Sequence, residues 1–596
     1  MGAVERFAGY QSLWRSSGDL GQFPRRRVPT DFWICCGVDQ FTFATTETAD
    51  PQNISSTGNA LASALLGIPD AGRYQSKING VRVVAPSAYI QDSWKITPKL
   101  TLNGGLRWDG ESSPHMLFGT TAAMLDPNTG NWIVSGGKLP PACNAAAGVY
   151  APCIPVADPA TNAILAAHVV VAANPNLGPD PVYTNLGPRG GVSYKLNNST
   201  IISAGYGMVY DNVTGAIQSV RDRLFAWPSN ASLPLTYNIT GQPLQTMTTV
   251  VPALSNTNAL PVVTTPWSQV GWYYDPKLKN HYSHQFNLEV QKEVSSSLVA
   301  TVGYVGSIDR HLPITGLANN SPEAGGAGLD RPFPWAVTEL EATSRGTSNY
   351  NSLQARLDKR LSSGLAFGTG FTWSKGMDNG GGGLYDVEEG PLGYAAFQNY
   401  NNLNANYGLS GNSIKFLYYG WGLYELPFGP GKQYLNHGAG AAILGGWQVN
   451  TNLSAHSGAP LGFPDSGIDP AKIGNTNGSV NYCRANISAS PKVSHPTKTA
   501  AFNTSVFSHP SGTYGNSGRG VITAMPYDNI DLSLMKGFQI GENVKVQFRP
   551  EFFNVFNIMN YGNPGVTYGG GNFGVITGLA SGSKPRQIQF SLRITY

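Results

Sequence analysis

The chain has 596 residues, of which 41% are hydrophobic and 12% are charged, and its formal net charge is +4. The charged share is about half that of ordinary soluble domains, and the only dense basic tract is Arg25-Arg26-Arg27, so nucleic acid is not expected as a partner. No apolar run reaches the roughly 18 residues of a membrane helix, which excludes a helical membrane protein. Because the mean hydropathy is only −0.17, apolar and polar residues must alternate over short distances.

The N-terminal segment gives few structural signals. Residues 1–21 lack a charged region followed by an apolar one, so no secretory signal peptide is visible. Taken with the strand patterns further along, this suggests that the sequence begins inside a longer protein. We expect an irregular segment over residues 1–30 and one β-barrel domain over residues 31–596.

Four elements are predicted before residue 110. They are a strand over residues 30–45, a helix over 57–67, a hairpin that turns at Asn79-Gly80 between residues 74–78 and 81–94, and a hairpin that turns at residues 95–99. The first strand is marked by aromatic residues, and the helix ends at a glycine. The first hairpin rests on the Asn-Gly dipeptide, which favours a two-residue turn.

Beyond residue 110, short and long connections alternate. The short ones are tight turns at residues 197–199, 295–297, 362–364 and 541–543. The long ones are rich in Gly, Pro, Asn and Thr and cover residues 110–188, 212–279, 307–348, 376–412, 457–526 and 558–584. Soluble domains rarely carry so many long loops, whereas outer-membrane barrels combine short periplasmic turns with long extracellular loops.

The clearest pattern lies in residues 529–596, where three segments alternate apolar and polar residues with period two. Each runs about ten residues, the length at which a tilted strand crosses a bilayer. The apolar positions of the last segment are Ile588, Phe590, Leu592, Ile594 and Tyr596. We predict that these even-numbered residues face lipid, and that this strand closes the barrel by pairing with the first strand present.

These patterns predict an all-β fold. It is an antiparallel transmembrane β-barrel of roughly fifteen strands, with short periplasmic turns and long extracellular loops, and it is incomplete on its N-terminal side.

Two motifs resemble binding sites. His281 and His284 have the spacing of an HxxH metal pair, but on a strand they point to opposite faces, so we expect an interfacial pair beside Tyr282. Residues 569–574 satisfy GxGxxG, yet the strand and helix that a dinucleotide site requires do not flank them, so we expect a loop.

Two clusters leave alternatives open. Asp386, Glu388 and Glu389, near Asp378, could hold Ca²⁺ through oxygen ligands or form a solvated loop tip. The second cluster consists of Tyr418, Tyr419, Trp421 and Tyr424. Its outward rings would belong to an interfacial girdle, and its inward rings could stack on a sugar or another planar ligand. No Ser/His/Asp or Cys/His set suggests catalysis. We therefore expect no enzyme, and no catalytic, cofactor-binding or metal-binding residues.

The five cysteines are too few for a disulfide scaffold. Cys143 and Cys153 could close a small loop in an oxidising compartment. Cys35-Cys36 and Cys483 have no metal-ligand spacing and are expected to be buried and unpaired.

Several segments together resemble the TonB-dependent outer-membrane receptors, in particular the large Oar-like transporters. They are residues 89–109 (YIQDSWKITPKLTLNGGLRWD), 187–211, 284–307, 350–375, 425–432 (ELPFGPGK), 445–450 (GGWQVN) and 548–564 (FRPEFFNVFNIMNYGNP). Nothing in the sequence resembles that family's plug, its energy-coupling box or its N-terminal β-sandwich domain. The family's barrel also has 22 strands, more than the sequence predicts here.

The resemblance implies an outer-membrane location in a Gram-negative type of bacterium and uptake of a large or scarce solute. It implies outer-membrane lipid and the barrel-assembly machinery as partners, with an inner-membrane TonB-type coupler only if a plug-bearing N-terminal part exists. The extracellular ligand cannot be read from the sequence. The alternative is a secreted or surface all-β binding or adhesion protein, although we find no repeat of the kind that propellers show.

Overall fold

The computed structural model describes part of the chain. The described residues are 40–45, 48–50, 53, 57–68, 71–75, 81–113, 115–116, 123–126, 128–134, 167–172, 179–211, 230–234, 271–317, 319–326, 330–334, 339–379, 398–467, 469–474, 483–541 and 544–596. Among them, no helix combines the length and the apolar character needed to cross a membrane.

Thirteen long strands form one continuous meander, in which each strand pairs antiparallel with the next along the chain. The strands are β1 Ser87–Thr97, β2 Leu100–Glu111, β3 Val182–Asn197, β4 Thr200–Tyr210, β5 Tyr282–Ser295, β6 Leu298–Leu317, β7 Glu339–Ser362, β8 Leu365–Asp378, β9 Phe416–Glu425, β10 Trp447–His456, β11 Tyr527–Ile540, β12 Val544–Phe553 and β13 Gln587–Thr595. The antiparallel sheet predicted from the sequence is confirmed.

Connections of two kinds alternate between the ends of the sheet, as predicted. The tight turns after β1, β3, β5, β7 and β11 lie at one end, here called the turn end, and the long connections lie at the other, the loop end. One connection at the turn end is not a tight turn, and the sequence predicted neither a turn nor a long loop there. It joins β9 to β10 and contains the helix α2, Gly438–Leu444.

Two of the strands extend well into a predicted loop. β6 has 20 residues and β7 has 24, about twice the length that a membrane crossing needs. Their pairing continues to Leu317 and Leu340, past two register shifts. The expectation of a long loop over residues 307–348 was therefore wrong for half of that range, because these strands continue to pair past the length of a membrane crossing.

The two faces of the sheet differ in chemistry. On β5, Leu288 and Val290 lie on one face, and Asn287, Glu289 and Gln291 on the other. The cross-strand register carries the same division from β5 to β13. The side that contains Leu288 is here called the apolar face, and the side that contains Asn287 is called the polar face. On β13, Phe590 and Leu592 of the apolar face are 68% and 63% exposed. Such a row of exposed apolar side chains requires a lipid environment, which agrees with the prediction for residues 588–596.

Short elements surround the meander. Strands Gly271–Tyr274 and Gly408–Leu409 extend it along β7 and β8 and bring this sheet to 15 strands. Three separate two-stranded sheets pair Val81–Arg82 with His115–Met116, Pro460–Leu461 with Ile522–Thr523, and Asn486–Ile487 with Phe507–Ser508. In a three-stranded sheet, Trp132–Val134 lies between Ala123–Leu125 and Val169–Val171 and pairs with both. Two 3-10 turns cover Leu403–Asn406 and Thr504–Val506.

The structure corrects two of the first predicted elements. The described part of the first strand, Gln40–Thr42, pairs with Ala71–Gln75, which also pairs with Asn230–Pro234, outside the meander. The hairpin predicted at Asn79-Gly80 is therefore not formed by its two arms, although the dipeptide itself lies outside the described residues. Long-range pairing with residues 230–234 outcompetes the local turn. The helix is confirmed as α1, Ala60–Leu65, which is capped by the Asn59 side chain.

The meander has two edges, β1 and β13, and within the described residues neither pairs with the other. The prediction that β13 closes onto the first strand is not met there. The topology supplies a reason, because both edge strands run from the loop end to the turn end. Direct pairing between them would be parallel, whereas an odd number of intervening strands would allow antiparallel closure.

The two faces generate a prediction for neighbouring residues of β5. Leu288→Arg should place a charge in hydrocarbon and destabilise the inserted protein by about 2–4 kcal/mol near mid-bilayer. Asn287→Arg is the matched control, because the new side chain lies on the polar face two residues from Glu289. The measurement is urea unfolding in lipid vesicles, read by heat-modifiable gel migration. Equal losses in the two variants would contradict the assignment of the faces.

Candidate functional site: polar face and loop layer

The polar face carries three ion pairs of the same design. In each, an arginine lies two residues before an acid on one strand, so that both side chains share a face. The pairs are Arg107–Asp109 at 2.7 Å, Arg356–Asp358 at 2.7 Å and Arg549–Glu551 at 3.7 Å. Their arginines remain 39–60% exposed, so they contribute little to stability. What they provide is a surface of both charge signs that is suited to water and polar solutes.

Two aromatic rings interrupt this polar surface. Tyr419 and Trp421 of β9 lie directly opposite Gly370 and Gly368 of β8. A Cβ atom added to Gly370 would come within 2.4 Å of the Tyr419 ring, and one added to Gly368 within 2.5 Å of Trp421 Nε1. The absent side chains therefore allow both rings to lie over the neighbouring strand, close to the Arg356–Asp358 pair. Both rings are about half exposed and can stack on a planar ligand.

The aromatic cluster predicted from the sequence is thus divided between the two faces. Tyr418 and Tyr424 lie on the apolar face, opposite Ala455 and Val449 of β10, as an interfacial girdle requires. Tyr419 and Trp421 lie on the polar face, where stacking on a solute is available. The division places two rings where a girdle would lie and two where a planar solute could stack, and both roles stay predictions.

At the loop end, the connections after β10 and β12 pack around a common aromatic core. Phe463 is fully buried and packs against Phe502, Phe507 and Phe573, with ring centroids 4.7–6.3 Å away. Leu461, Ala485 and Val566 complete the core. These long segments therefore form an ordered structure, here called the loop layer.

Buried arginines join the loop layer to the strands and to the connection after β8. Arg519 donates to the backbone oxygen of Asp378 at 3.0 Å and pairs with the Asp378 carboxylate. The side chains of Arg519 and Asp378 are only 9% and 6% exposed. Arg484 donates to Asn406 Oδ1 at 2.7 Å, and its backbone N–H donates to Gln398. The loop layer is thus fixed at the end of β8.

A family model described as the outer membrane beta barrel domain matches residues 30–589 of the chain. The chain belongs to this family. Membership places the protein in the outer membrane of Gram-negative bacteria. It also confirms the predicted resemblance to TonB-dependent receptors at the level of the barrel fold. For a member of this family, the apolar face is the lipid-facing surface and the polar face lines the interior.

Solved structures similar to this barrel chain are outer-membrane receptors and transporters. The pyoverdine receptor FpvA from Pseudomonas aeruginosa is 11% identical, with a TM-score of 0.40, covering 87% of this chain and 43% of FpvA. The FrpB iron transporter from Neisseria meningitidis is 11% identical, with a TM-score of 0.36, covering 93% and 50%. The transporter YddB from Escherichia coli is 9% identical, with a TM-score of 0.39, covering 87% and 54%. The chain spans less than two thirds of each. A search of curated protein sequences returned no match.

The predicted histidine pair does not converge on one site. His281 Nε2 lies 3.6 Å from Asp309, whereas His284 Nδ1 lies 2.7 Å from the Tyr206 hydroxyl and its ring packs edge-on against Tyr282. Tyr206 and His284 share the apolar face. His284 lies beside Tyr282, as expected, whereas the interfacial position of the pair stays a prediction. Within the described residues, no group of three His, Cys, Asp or Glu side chains could hold a metal ion.

The other candidates have separate outcomes. Residues 569–574 form a loop, as predicted, and Gly569 approaches Ser466 of the loop layer. Asp378 pairs with Arg519, while Asp386, Glu388 and Glu389 lie outside the described residues. Cys483 is buried, as expected. Cys35, Cys36, Cys143 and Cys153 also lie outside the described residues.

The loop layer could not be found by motif, because its parts are far apart in sequence. Asp378 and Arg519 are separated by 141 residues. The only local signals were hydrophobic residues at 461, 463, 502 and 507 within segments that otherwise have the composition of loops. The ion pairs of the polar face are easier to predict from sequence, since an arginine two residues before an acid on a predicted strand places both charges on one face.

The buried pair gives a prediction for the loop layer. Arg519→Met leaves Asp378 charged and buried without its partner, which costs about 3–5 kcal/mol. Hydrogen exchange in peptides covering residues 398–406 and 515–526 should accelerate by about a hundredfold or more. Arg549→Met, which breaks an exposed pair worth less than about 1 kcal/mol, should leave exchange in these peptides unchanged. Unchanged exchange in the Arg519 variant would show that the pair does not hold the layer.

The buried thiol gives a second prediction. Burial raises the pKa of the Cys483 thiol to about 11, so at pH 8 the nucleophilic thiolate is nearly absent. Alkylation of Cys483 in the folded protein, followed by peptide mass spectrometry, should be much slower than in urea. Rapid alkylation of the folded protein would contradict the packing of this part of the loop layer.

Proposed function

We propose that the protein is an outer-membrane receptor and transport barrel, which captures a solute with its extracellular loops and passes it along a polar interior. The observation that carries this proposal is the consistent division of the meander into an apolar and a polar face. An adhesion protein or a soluble binding protein has no need for a continuous apolar outer surface.

The loop layer and the aromatic rings supply the two stages of this function. The loop layer lies at the loop end, which this proposal makes the extracellular end, and its packed aromatic core makes it suitable for specific recognition. Below it, Tyr419 and Trp421 lie beside Arg356 and Asp358 on the polar face. We infer that they form a lumenal contact point for a solute with a planar or sugar-like face and polar groups.

The partners follow from the same proposal. Outer-membrane lipid covers the apolar face, and the barrel-assembly machinery inserts the chain. Residues 31–596 are taken as the barrel domain. Coupling to an inner-membrane TonB-type protein requires a plug and an N-terminal segment that reaches that protein by strand addition. We therefore propose energised uptake only for this chain together with a plug-bearing N-terminal part.

The proposal predicts a specific electrical behaviour. The chain refolded alone into planar bilayers should either give a large and ungated conductance, because a wide barrel that is not occluded encloses water, or fail to close between β1 and β13. Cells that carry it as the only receptor should show no uptake driven by the proton-motive force. Uptake that collapses with a protonophore would show that the chain is a complete transporter.

The same preparation separates the proposal from its alternative. A membrane barrel needs detergent or lipid to remain in solution, whereas a secreted all-β binding protein does not. A monodisperse, folded monomer without detergent would refute the membrane assignment, and with it the proposed function.

A further inference from the structure

Lys536 of β11 is a charged residue within the apolar face. Lys536 of β11 is directly opposite Trp447 of β10 on one side and Phe548 of β12 on the other, and Phe548 is opposite Leu592 of β13. These four side chains therefore form one row across four strands. A lysine in such a row would meet lipid, where an unpaired charge is unfavourable.

Lys536 is nevertheless only 4% exposed, because the connection between β9 and β10 covers it. Its ammonium group donates hydrogen bonds to the backbone oxygens of Ala442 and Ile443, the latter at 2.7 Å. These oxygens belong to the last turn of α2, where the helix carries partial negative charge. The ammonium also lies 4.9 Å from the ring centre of Phe538 and 5.6 Å from that of Trp447.

The position of α2 follows from these contacts. Because Lys536 projects from the apolar face, the helix end that it binds must lie on the outer side of the sheet. Trp447 strengthens the attachment, since its indole Nε1 donates to Ile443 O at 3.0 Å. At the base of the connection, Gly429 and Gly445 approach so closely that a Cβ atom on Gly445 would lie 2.5 Å from Gly429 Cα. These contacts hold the helix against the outer side of the sheet at its turn end.

The surface of α2 that faces away from Lys536 is apolar. Ile443 is 67% exposed and Leu444 is 50% exposed. On β11 itself, Phe538 and Ile540 of the apolar face are 43% and 62% exposed. A short apolar helix held beside a tryptophan and a lysine, at the end of a membrane-spanning surface, has the properties of an interfacial anchor.

We propose that α2 is an anchor for the periplasmic leaflet of the outer membrane, with Ile443 and Leu444 inserted among phospholipids and Lys536 holding the helix in place. The occupant of this surface is lipid, because the surface continues the lipid-facing side of the barrel. The proposal does not depend on transport, and it concerns the one connection at the turn end that is not a tight turn.

The test uses the full chain in its native outer membrane. A photoreactive p-benzoylphenylalanine is introduced in place of Ile443 and, as a matched control, in place of Ala489, which is exposed at the loop end. After irradiation, position 443 should form adducts that mass spectrometry identifies as phospholipid, and position 489 should not. A protein adduct as the main product at 443, or no adduct at all, would overturn the proposal.

A second variant tests the role of the lysine. Lys536→Met keeps the row apolar and should leave barrel assembly intact, as heat-modifiable gel migration would show. It removes the hydrogen bonds that hold the last turn of α2 against the sheet. The yield of the lipid adduct at position 443 should then fall severalfold. An unchanged yield in the folded variant would show that Lys536 does not position α2.

Discussion

The structure depends on a single constraint of the bilayer, which offers no hydrogen-bond partner to a backbone N–H or C=O group. Antiparallel pairing satisfies these groups between neighbouring strands of the meander, and within the described residues it leaves only the outer edges of β1 and β13 outside this ladder. Once a strand is paired, the period of two decides which side chains meet lipid, and a shift of one residue would exchange the two environments. The division between Asn287 and Leu288 on β5 therefore reappears on β13 between Gln589 and Phe590.

Departures from this division are accompanied by local compensation. Lys536 occupies a lipid-facing position, but the end of α2 and two aromatic rings surround its ammonium group. Tyr419 and Trp421 are large aromatic side chains on the polar face, and the glycines opposite them provide the space that their rings occupy. Exceptions of this kind indicate function more clearly than the regular pattern does, because they are retained against the chemistry of their surroundings.

The meander was predictable from sequence because its information is local. Tight turns such as residues 197–199 fix register, and the alternation in residues 588–596 fixes sidedness. The long-range pairing of Gln40–Thr42, Ala71–Gln75 and Asn230–Pro234 leaves no local signal, so the Asn79-Gly80 hairpin was predicted wrongly. The sequence likewise gives no local reason for Lys536 in an apolar row, because only the position of α2 explains how a lysine can occupy it.

The most direct test of the two-faced sheet is a nitroxide scan of residues 284–292 on β5 in lipid vesicles. Accessibility to oxygen, which concentrates in hydrocarbon, and to a water-soluble nickel chelate should alternate with period two and in opposite phase. Even-numbered positions should favour oxygen and odd-numbered positions the chelate. Uniform access to the chelate along the strand, or a helical period, would contradict the account.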